Sequence, residues 1–196
     1  MSTNSDIGST AIKTALRAAM NGIAASTIRE SGMGYKLVFG VELPRLREIA
    51  KEYCQTASAE GPEHLRQLAR ELWQENIREC KMLAVMFHPI EDFDIDIANL
   101  WIESLRPEQA EIAQLLSMDL LSRTPYASQM VFQWIADERN MFQLCGFLTI
   151  TRLIMNGAQL SPDSEAELID QAEAATASTY LPLRKAAQNT LIRIRD

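Results

Sequence analysis

The stretch LPLRKAAQNTLIRIR, Leu181–Arg195, shows in one segment how this chain is built. Its apolar residues recur every three or four positions and therefore share one face of a helix. Pro182 stands near its start, where a helix accepts a proline without losing a hydrogen bond. The segment predicts an amphipathic helix that buries one face against other helices. The residues of that face are Leu183, Ala186, Ala187, Leu191 and Ile194.

The same helical spacing extends through nearly the whole chain, and no convincing run of alternating polar and apolar residues indicates a strand. Breaks occur at short intervals. Thr124-Pro125 and Ser161-Pro162 each pair a capping side chain with proline at the first helical position. The segment 27–41, which contains glycines, is predicted to be a loop. The sequence predicts about ten helices, at residues 8–26, 42–57, 62–73, 75–87, 94–104, 107–122, 125–137, 140–156, 162–177 and 181–195.

Short helices joined by short connections pack as antiparallel neighbours. Helix pairs of this size, with a period of about 40 residues, indicate a HEAT-like or armadillo-type repeat. We therefore expect an all-α protein, an α-α superhelix (solenoid) of HEAT-like antiparallel helix pairs. It would form a single domain over residues 1–196, with a flexible N-terminus at about 1–7. A compact irregular helical bundle is the alternative, because the helix pairs share a similar length and spacing but little sequence similarity.

Composition narrows the classes of function. The net charge of −7 is the opposite of the basic charge typical of nucleic-acid-binding domains, although a local basic stripe can bind DNA on an acidic protein. The three cysteines form no CxxC or Cys/His cluster, so we expect no metal site, and no motif indicates a cofactor. The N-terminal MSTNSDIGST lacks the basic start and apolar core of a signal peptide. No stretch approaches the ~20 apolar residues of a membrane span. We expect a cytoplasmic protein with no membrane partner.

Four stretches, taken in order, resemble the AlkD-like DNA alkylation repair family, whose members are HEAT-like repeat DNA glycosylases. Together with the helix rhythm they cover most of the chain beyond Gly34. The resemblance implies excision of positively charged alkylpurines from double-stranded DNA held on a concave face. The stretches are YKLVFGVELPRLREIA (Tyr35–Ala50), LWQENIRECKMLA (Leu72–Ala84), EDFDIDIANLW (Glu91–Trp101) and PLRKAAQNTLIR (Pro182–Arg193).

The family's chemistry requires a carboxylate that stabilises the cationic sugar or positions a water molecule. It also requires aromatic faces near the cationic lesion and an arginine on the phosphates. By resemblance, Asp96 corresponds to the catalytic carboxylate, with Asp94 as the alternative. The first aromatic position is occupied by Asp92, the arginine position falls at Leu144 or Cys145, and the last aromatic position is Asn189.

The expected site therefore retains its carboxylate and loses its partners. Glu91, Asp92, Asp94 and Asp96 lie within six residues and would repel phosphates without a nearby arginine. The same acids also fit an ordinary helix start, where the helix dipole favours them. We expect a DNA-binding protein in which glycosylase activity is absent or impaired.

Basic residues are the remaining argument for DNA. They cluster near the second predicted helix and in the last, where a solenoid could bring them to one concave surface. Interleaved glutamates such as Glu48 and Glu52 fit a plain solvated helix face equally well. A helical-repeat module that binds a protein partner, with no role on DNA, therefore stays open as the alternative. The candidate DNA-binding residues are Lys36, Arg47, Lys51, Arg184 and Lys185.

Overall fold

The computed structural model describes residues 4–57 and 61–195, with the side chains of residues 4–7, 56 and 57 left out. Within these residues the chain is helical, with a single isolated β-bridge between Leu37 and Ile77. The all-α class is thereby confirmed. The described residues form eleven α-helices: α1 (Asn4–Ala18), α2 (Gly22–Glu30), α3 (Leu43–Ala57), α4 (Pro62–Gln74), α5 (Arg78–Phe87), α6 (Ile95–Ser104), α7 (Ala110–Leu115), α8 (Ala127–Ile135), α9 (Asn140–Met155), α10 (Pro162–Ala175) and α11 (Leu181–Arg195).

The N-terminal region differs from the prediction. The single helix expected at 8–26 is two helices, because Asn21 starts a new one: its side chain accepts a hydrogen bond from the backbone N–H of Ala24 at 3.2 Å. Helix α2 then runs to Glu30, into the segment expected to be loop. Residues 1–3 of the expected flexible N-terminus lie outside the described residues, and α1 begins at Asn4.

The helix expected at 107–122 is also irregular. A 3-10 turn at Pro107–Gln109 leads into the short α7, which continues as a π-helical segment at Leu116–Leu120 and a second 3-10 turn at Leu121–Arg123. The 3-10 turns wind more tightly than an α-helix and the π-helical segment more widely, so neither keeps the regular i→i−4 hydrogen-bond ladder. The apolar pattern alone could not distinguish them from α-helix.

The helices form two compact units, Met1–Phe93 and Asp94–Asp196. The single domain over 1–196 stays a prediction. In the first unit, α4 packs closely on α5, and both contact α3. The side chains of Leu46, Leu68, Leu72 and Leu83 are almost fully buried there.

A buried carboxylate fixes the loop before α3. Glu79 in α5 is 0% exposed, and its two oxygens accept hydrogen bonds from the backbone N–H groups of Phe39 (3.0 Å) and Gly40 (2.9 Å). The guanidinium of Arg78 lies 3.2 Å from the same carboxylate. These partners offset the cost of removing a charge from water.

In the second unit, α9 is the central helix and packs against α6, α7, α8 and α11. Gly146 permits the close approach of α8, because a Cβ there would lie 2.7 Å from the side chain of Ile135. Neighbours on several sides explain why the segment 142–155 is apolar nearly all round.

The tryptophans and two of the cysteines belong to the core. Trp73, Trp101 and Trp134 are buried, as are Cys80 and Cys145. Burial raises the pKa of both thiols to about 12, so neither is a reactive thiolate at neutral pH. In the part of the chain that the structure describes, no helix is both long and apolar enough to cross a membrane.

Candidate nucleic-acid interface

The two candidate carboxylates stand at the start of α6 and have different surroundings. Asp94 is the N-cap, and its Oδ1 accepts a hydrogen bond from the backbone N–H of Ile97 at 2.8 Å. Its backbone carbonyl also accepts the hydroxyl of Tyr126 at 3.2 Å. Asp96 is exposed in the first helical turn. Because Asp94 has a structural task, Asp96 remains the better candidate for the family's carboxylate.

An arginine does approach one of the expected acidic residues. Arg66, in α4, pairs with Glu63, and its Nη1 lies 3.7 Å from Oδ1 of Asp92. No local pattern indicates this contact, because Arg66 and Asp92 are distant along the chain. Arg66 is already engaged by two carboxylates, so this contact does not supply the missing phosphate-binding arginine.

A pocket in the second unit brings together two positions that the family resemblance singled out. Leu144 and Asn189 both line a cavity of about 380 Å³ between α7, α9 and α11. Cys145, the other residue considered for the arginine position, is fully buried and does not line this cavity. The complete lining is Ala110, Glu111, Gln114, Leu144, Leu148, Leu181, Pro182, Lys185, Ala186 and Asn189.

The pocket has an apolar floor and polar walls. Leu144 and Leu148 stand one turn apart on α9, which forms the floor. Lys185 and Asn189 stand one turn apart on α11, and Glu111 of α7 also lines the pocket. The lining contains neither an arginine nor an aromatic side chain, and Asp96 is not part of it. The structure thus joins two of the family positions and leaves the carboxylate position outside their pocket.

The candidate DNA-binding residues of the first unit are exposed. Arg47 and Lys51 stand one turn apart on α3, and Lys36 lies in the preceding loop. The acids interleaved with them face another basic group: Arg45 binds Glu48 at 2.8 Å and Glu52 at 3.3 Å. The charge of these two glutamates is therefore directed at Arg45.

The two basic candidates of α11 differ from each other. Arg184 is half-buried, and its Nη1 donates to the backbone carbonyl of Ser178 at 3.3 Å, which ties down the turn before the helix. Lys185 is exposed and lines the pocket. Of the pair, Lys185 is the one placed to meet a ligand. The concave face shared by both basic clusters stays a prediction.

Sequence reasoning missed Gln114, Leu148 and Leu181 as pocket residues. One signal was available: Leu181, Lys185 and Asn189 follow each other at intervals of four on α11 and form one row. Nothing in the sequence indicated which residues of α7 and α9 face that row.

The comparisons with known proteins agree with this architecture. Residues 12–194 match the model of the family described as DNA alkylation repair enzyme. No curated protein matches the chain. A solved structure described as "A new family of proteins related to the HEAT-like repeat DNA glycosylases with affinity for branched DNA structures" superposes with a TM-score of 0.74 at 16% identity. The match covers 94% of this chain and 74% of the other. It confirms the HEAT-like repeat fold, and the family match spans nearly the whole sequence. The chain belongs to the DNA alkylation repair enzyme family.

Proposed function

We propose that this protein binds DNA, with branched DNA as its preferred form, and does not excise alkylated purines. One observation carries the proposal. The family resemblance expects an arginine at Leu144 and an aromatic residue at Asn189. Both positions line one pocket, and the pocket contains neither an arginine nor an aromatic side chain.

The physical argument concerns how the substrate is held. A glycosylase accelerates the loss of an alkylpurine by stabilising the developing positive sugar with a carboxylate, and that requires the DNA to stay fixed over the carboxylate. Leu144 cannot bind a phosphate, and Asn189 offers no aromatic face to a cationic base. Asp96 is exposed, so water weakens its attraction for a cation.

Binding itself needs only phosphate contacts and a suitable surface. Lys36, Arg47, Lys51 and Lys185 are exposed cations that can meet phosphates. The structurally similar protein is described as having affinity for branched DNA structures, which supports branched DNA over linear duplex as the ligand.

The test compares a four-way junction with a linear duplex of the same strand length, at several salt concentrations. We expect tighter binding to the junction, and affinity for both that falls as salt rises. Duplexes carrying N7-methylguanine serve for the excision assay, in which we expect the base to be released no faster than in the same duplex without protein. Absence of binding to either DNA at low salt would refute the proposal. Base release that Asp96→Asn abolishes would refute its second half.

A protein partner is the second candidate function. It is favoured by the apolar floor of the pocket, by Leu181 at its edge, which is 46% exposed, and by the net charge of −7. If this chain fails to bind DNA at low salt but binds an apolar peptide in the pocket, the result would support a protein partner instead.

A further inference from the structure

We propose that the pocket between α7, α9 and α11 receives a single unpaired nucleobase of the bound DNA. The inference rests on the proposed DNA binding and names the part of branched DNA that the second unit would recognise. Branch points differ from paired duplex in that bases there lose their partners with little cost, so they are available to an external pocket.

The floor of the pocket suits the face of a base. Leu144 and Leu148 present two aliphatic side chains from consecutive turns of α9, and Ala186 continues the apolar surface on α11. Apolar side chains contact the face of any base by dispersion, without regard to sequence. The cavity volume of about 380 Å³ is within the usual range of small-ligand sites, roughly 300–1,000 Å³.

The walls suit the edge of a base. Asn189 on α11 and Gln114 on α7 are exposed carboxamides, and each offers both donors and an acceptor. Side chains of this kind form paired hydrogen bonds with the edges of bases. A duplex base already uses its Watson–Crick edge, so only an unpaired base can present that edge to Asn189 and Gln114.

The rim suits the sugar–phosphate that must accompany the base. Lys185 stands one helical turn from Asn189, so their Cβ atoms are about 6 Å apart. A base bound beside Asn189 therefore places its own phosphate within reach of the Lys185 ammonium group. Leu181, one turn further along the same row, is 46% exposed and offers an apolar contact to a neighbouring base.

The experiment uses two duplexes of the same sequence that carry 2-aminopurine, either opposite thymine or as a single-base bulge. Affinity and 2-aminopurine emission are measured for the full chain and for three variants. Asn189→Ala removes the edge contact, and Leu148→Trp fills the pocket. Gln188→Ala is the matched control, because Gln188 is the exposed neighbour of Asn189 on α11 and does not line the pocket. Thermal melting verifies that each variant is folded.

We expect the natural chain to bind the bulged duplex more tightly than the paired one and to change its emission. Asn189→Ala and Leu148→Trp should each reduce affinity for the bulge about tenfold, in line with losing one base contact. Gln188→Ala should bind as the natural chain does. The natural chain and the three variants should all bind the paired duplex with the same affinity.

Two results overturn the inference. The first leaves the proposed DNA binding intact, and the second overturns it as well. If the protein binds junctions but Asn189→Ala and Leu148→Trp bind the bulge as well as Gln188→Ala does, the pocket receives no base and the proposed function stands. If the protein binds no DNA at low salt, or binds a peptide in the pocket instead, both the inference and the proposed function fail.

Discussion

The Oε1 atom of Glu79 lies 2.9 Å from the backbone nitrogen of Gly40 and accepts its hydrogen bond in the core of the first unit. A second backbone N–H, that of Phe39, donates to the other oxygen of the same carboxylate. The loop between α2 and α3 is thereby fastened to α5 by one fully buried side chain. Two of the stretches that carry the family resemblance, Tyr35–Ala50 and Leu72–Ala84, meet at this carboxylate.

Glu79→Ala should strongly destabilise the protein. It leaves two buried backbone N–H groups without their acceptor and removes the carboxylate that pairs with Arg78, and each lost partner costs on the order of 1–3 kcal/mol. Urea denaturation would measure the change in the free energy of unfolding. Glu48→Ala is the control, since Glu48 is exposed and binds only on the surface of α3. Equal midpoints for the two variants would contradict a locking role for Glu79.

Gly40→Ala should be more harmful than Gly32→Ala. Both glycines have positive φ, +74° and +80°, so both variants carry the backbone cost of roughly 1–2 kcal/mol. Only at Gly40 would the new Cβ meet other atoms, 2.3 Å from the carbonyl oxygen of Asn21 and 2.5 Å from the nitrogen of Ala25. Thermal melting of the two variants isolates this steric part. A smaller decrease in melting temperature for Gly40→Ala than for Gly32→Ala would argue against the close approach of the loop to α2.

Stability should fall as pH is lowered below about 6.5, through His88. Burial lowers the pKa of His88, and Arg70 and Arg66 lower it further, against the opposing effects of the Pro89 carbonyl and Asp92. Between the lowered native pKa and the ordinary unfolded one, the unfolded chain binds more protons, so acid favours unfolding.

The measurement is the free energy of unfolding between pH 5.5 and 7.5. We expect it to rise with pH by at most about 1.4 kcal/mol per unit from this residue. His88→Gln should be less stable overall, because the ring packs edge-on against Phe93, but it should lose this part of the slope. A slope that survives in His88→Gln would assign the effect to other groups.

The sequence predicted most of the helices because their buried faces repeat at helical spacing, as in α11. The prediction was wrong where a single polar residue starts a new helix within a stretch of continuous apolar spacing. The apolar spacing continues past Asn21, and the capping hydrogen bond of Asn21, rather than a change in hydrophobicity, separates α1 from α2. The π-helical segment at Leu116–Leu120 was invisible for a related reason, since its residues are as apolar as those of a regular helix.

The candidate site was predictable only in part. The family resemblance selected Leu144 and Asn189 from distant parts of the chain, and they line the same pocket. Leu148 and Gln114 could not be found in this way, because their place in the lining depends on how α7 and α9 are rotated about their axes. That rotation is set by packing, such as the close approach of α8 at Gly146, which no local pattern encodes.

Asp94→Ala should destabilise the second unit by about 1 kcal/mol, the usual cost of losing an N-cap. Its side chain accepts the Ile97 N–H that would otherwise lack a partner at the start of α6. Asp96→Ala should change stability little, since Asp96 is exposed and does not cap the helix. Urea denaturation of both variants distinguishes them. If Asp96→Ala were the more damaging, Asp94 would not be the capping residue, and the assignment of Asp96 as the candidate carboxylate would lose its structural basis.

Lys51→Ala should weaken DNA binding more than Arg45→Ala, although each removes one positive charge from α3. Lys51 is exposed beside Arg47, whereas Arg45 is held by Glu48 and Glu52 on another stripe of the helix. A cation that meets a phosphate releases about one counterion on binding, so Lys51→Ala should reduce the slope of log affinity against log salt by about one. Arg45→Ala should leave the slope nearly unchanged, because its charge is already balanced by two carboxylates. Binding to a four-way junction at three or more salt concentrations measures both slopes. Equal slopes for the two variants would show that the surface of α3 near Lys51 does not contact DNA, and the phosphate contacts would then have to come from other residues, such as Lys185 on α11.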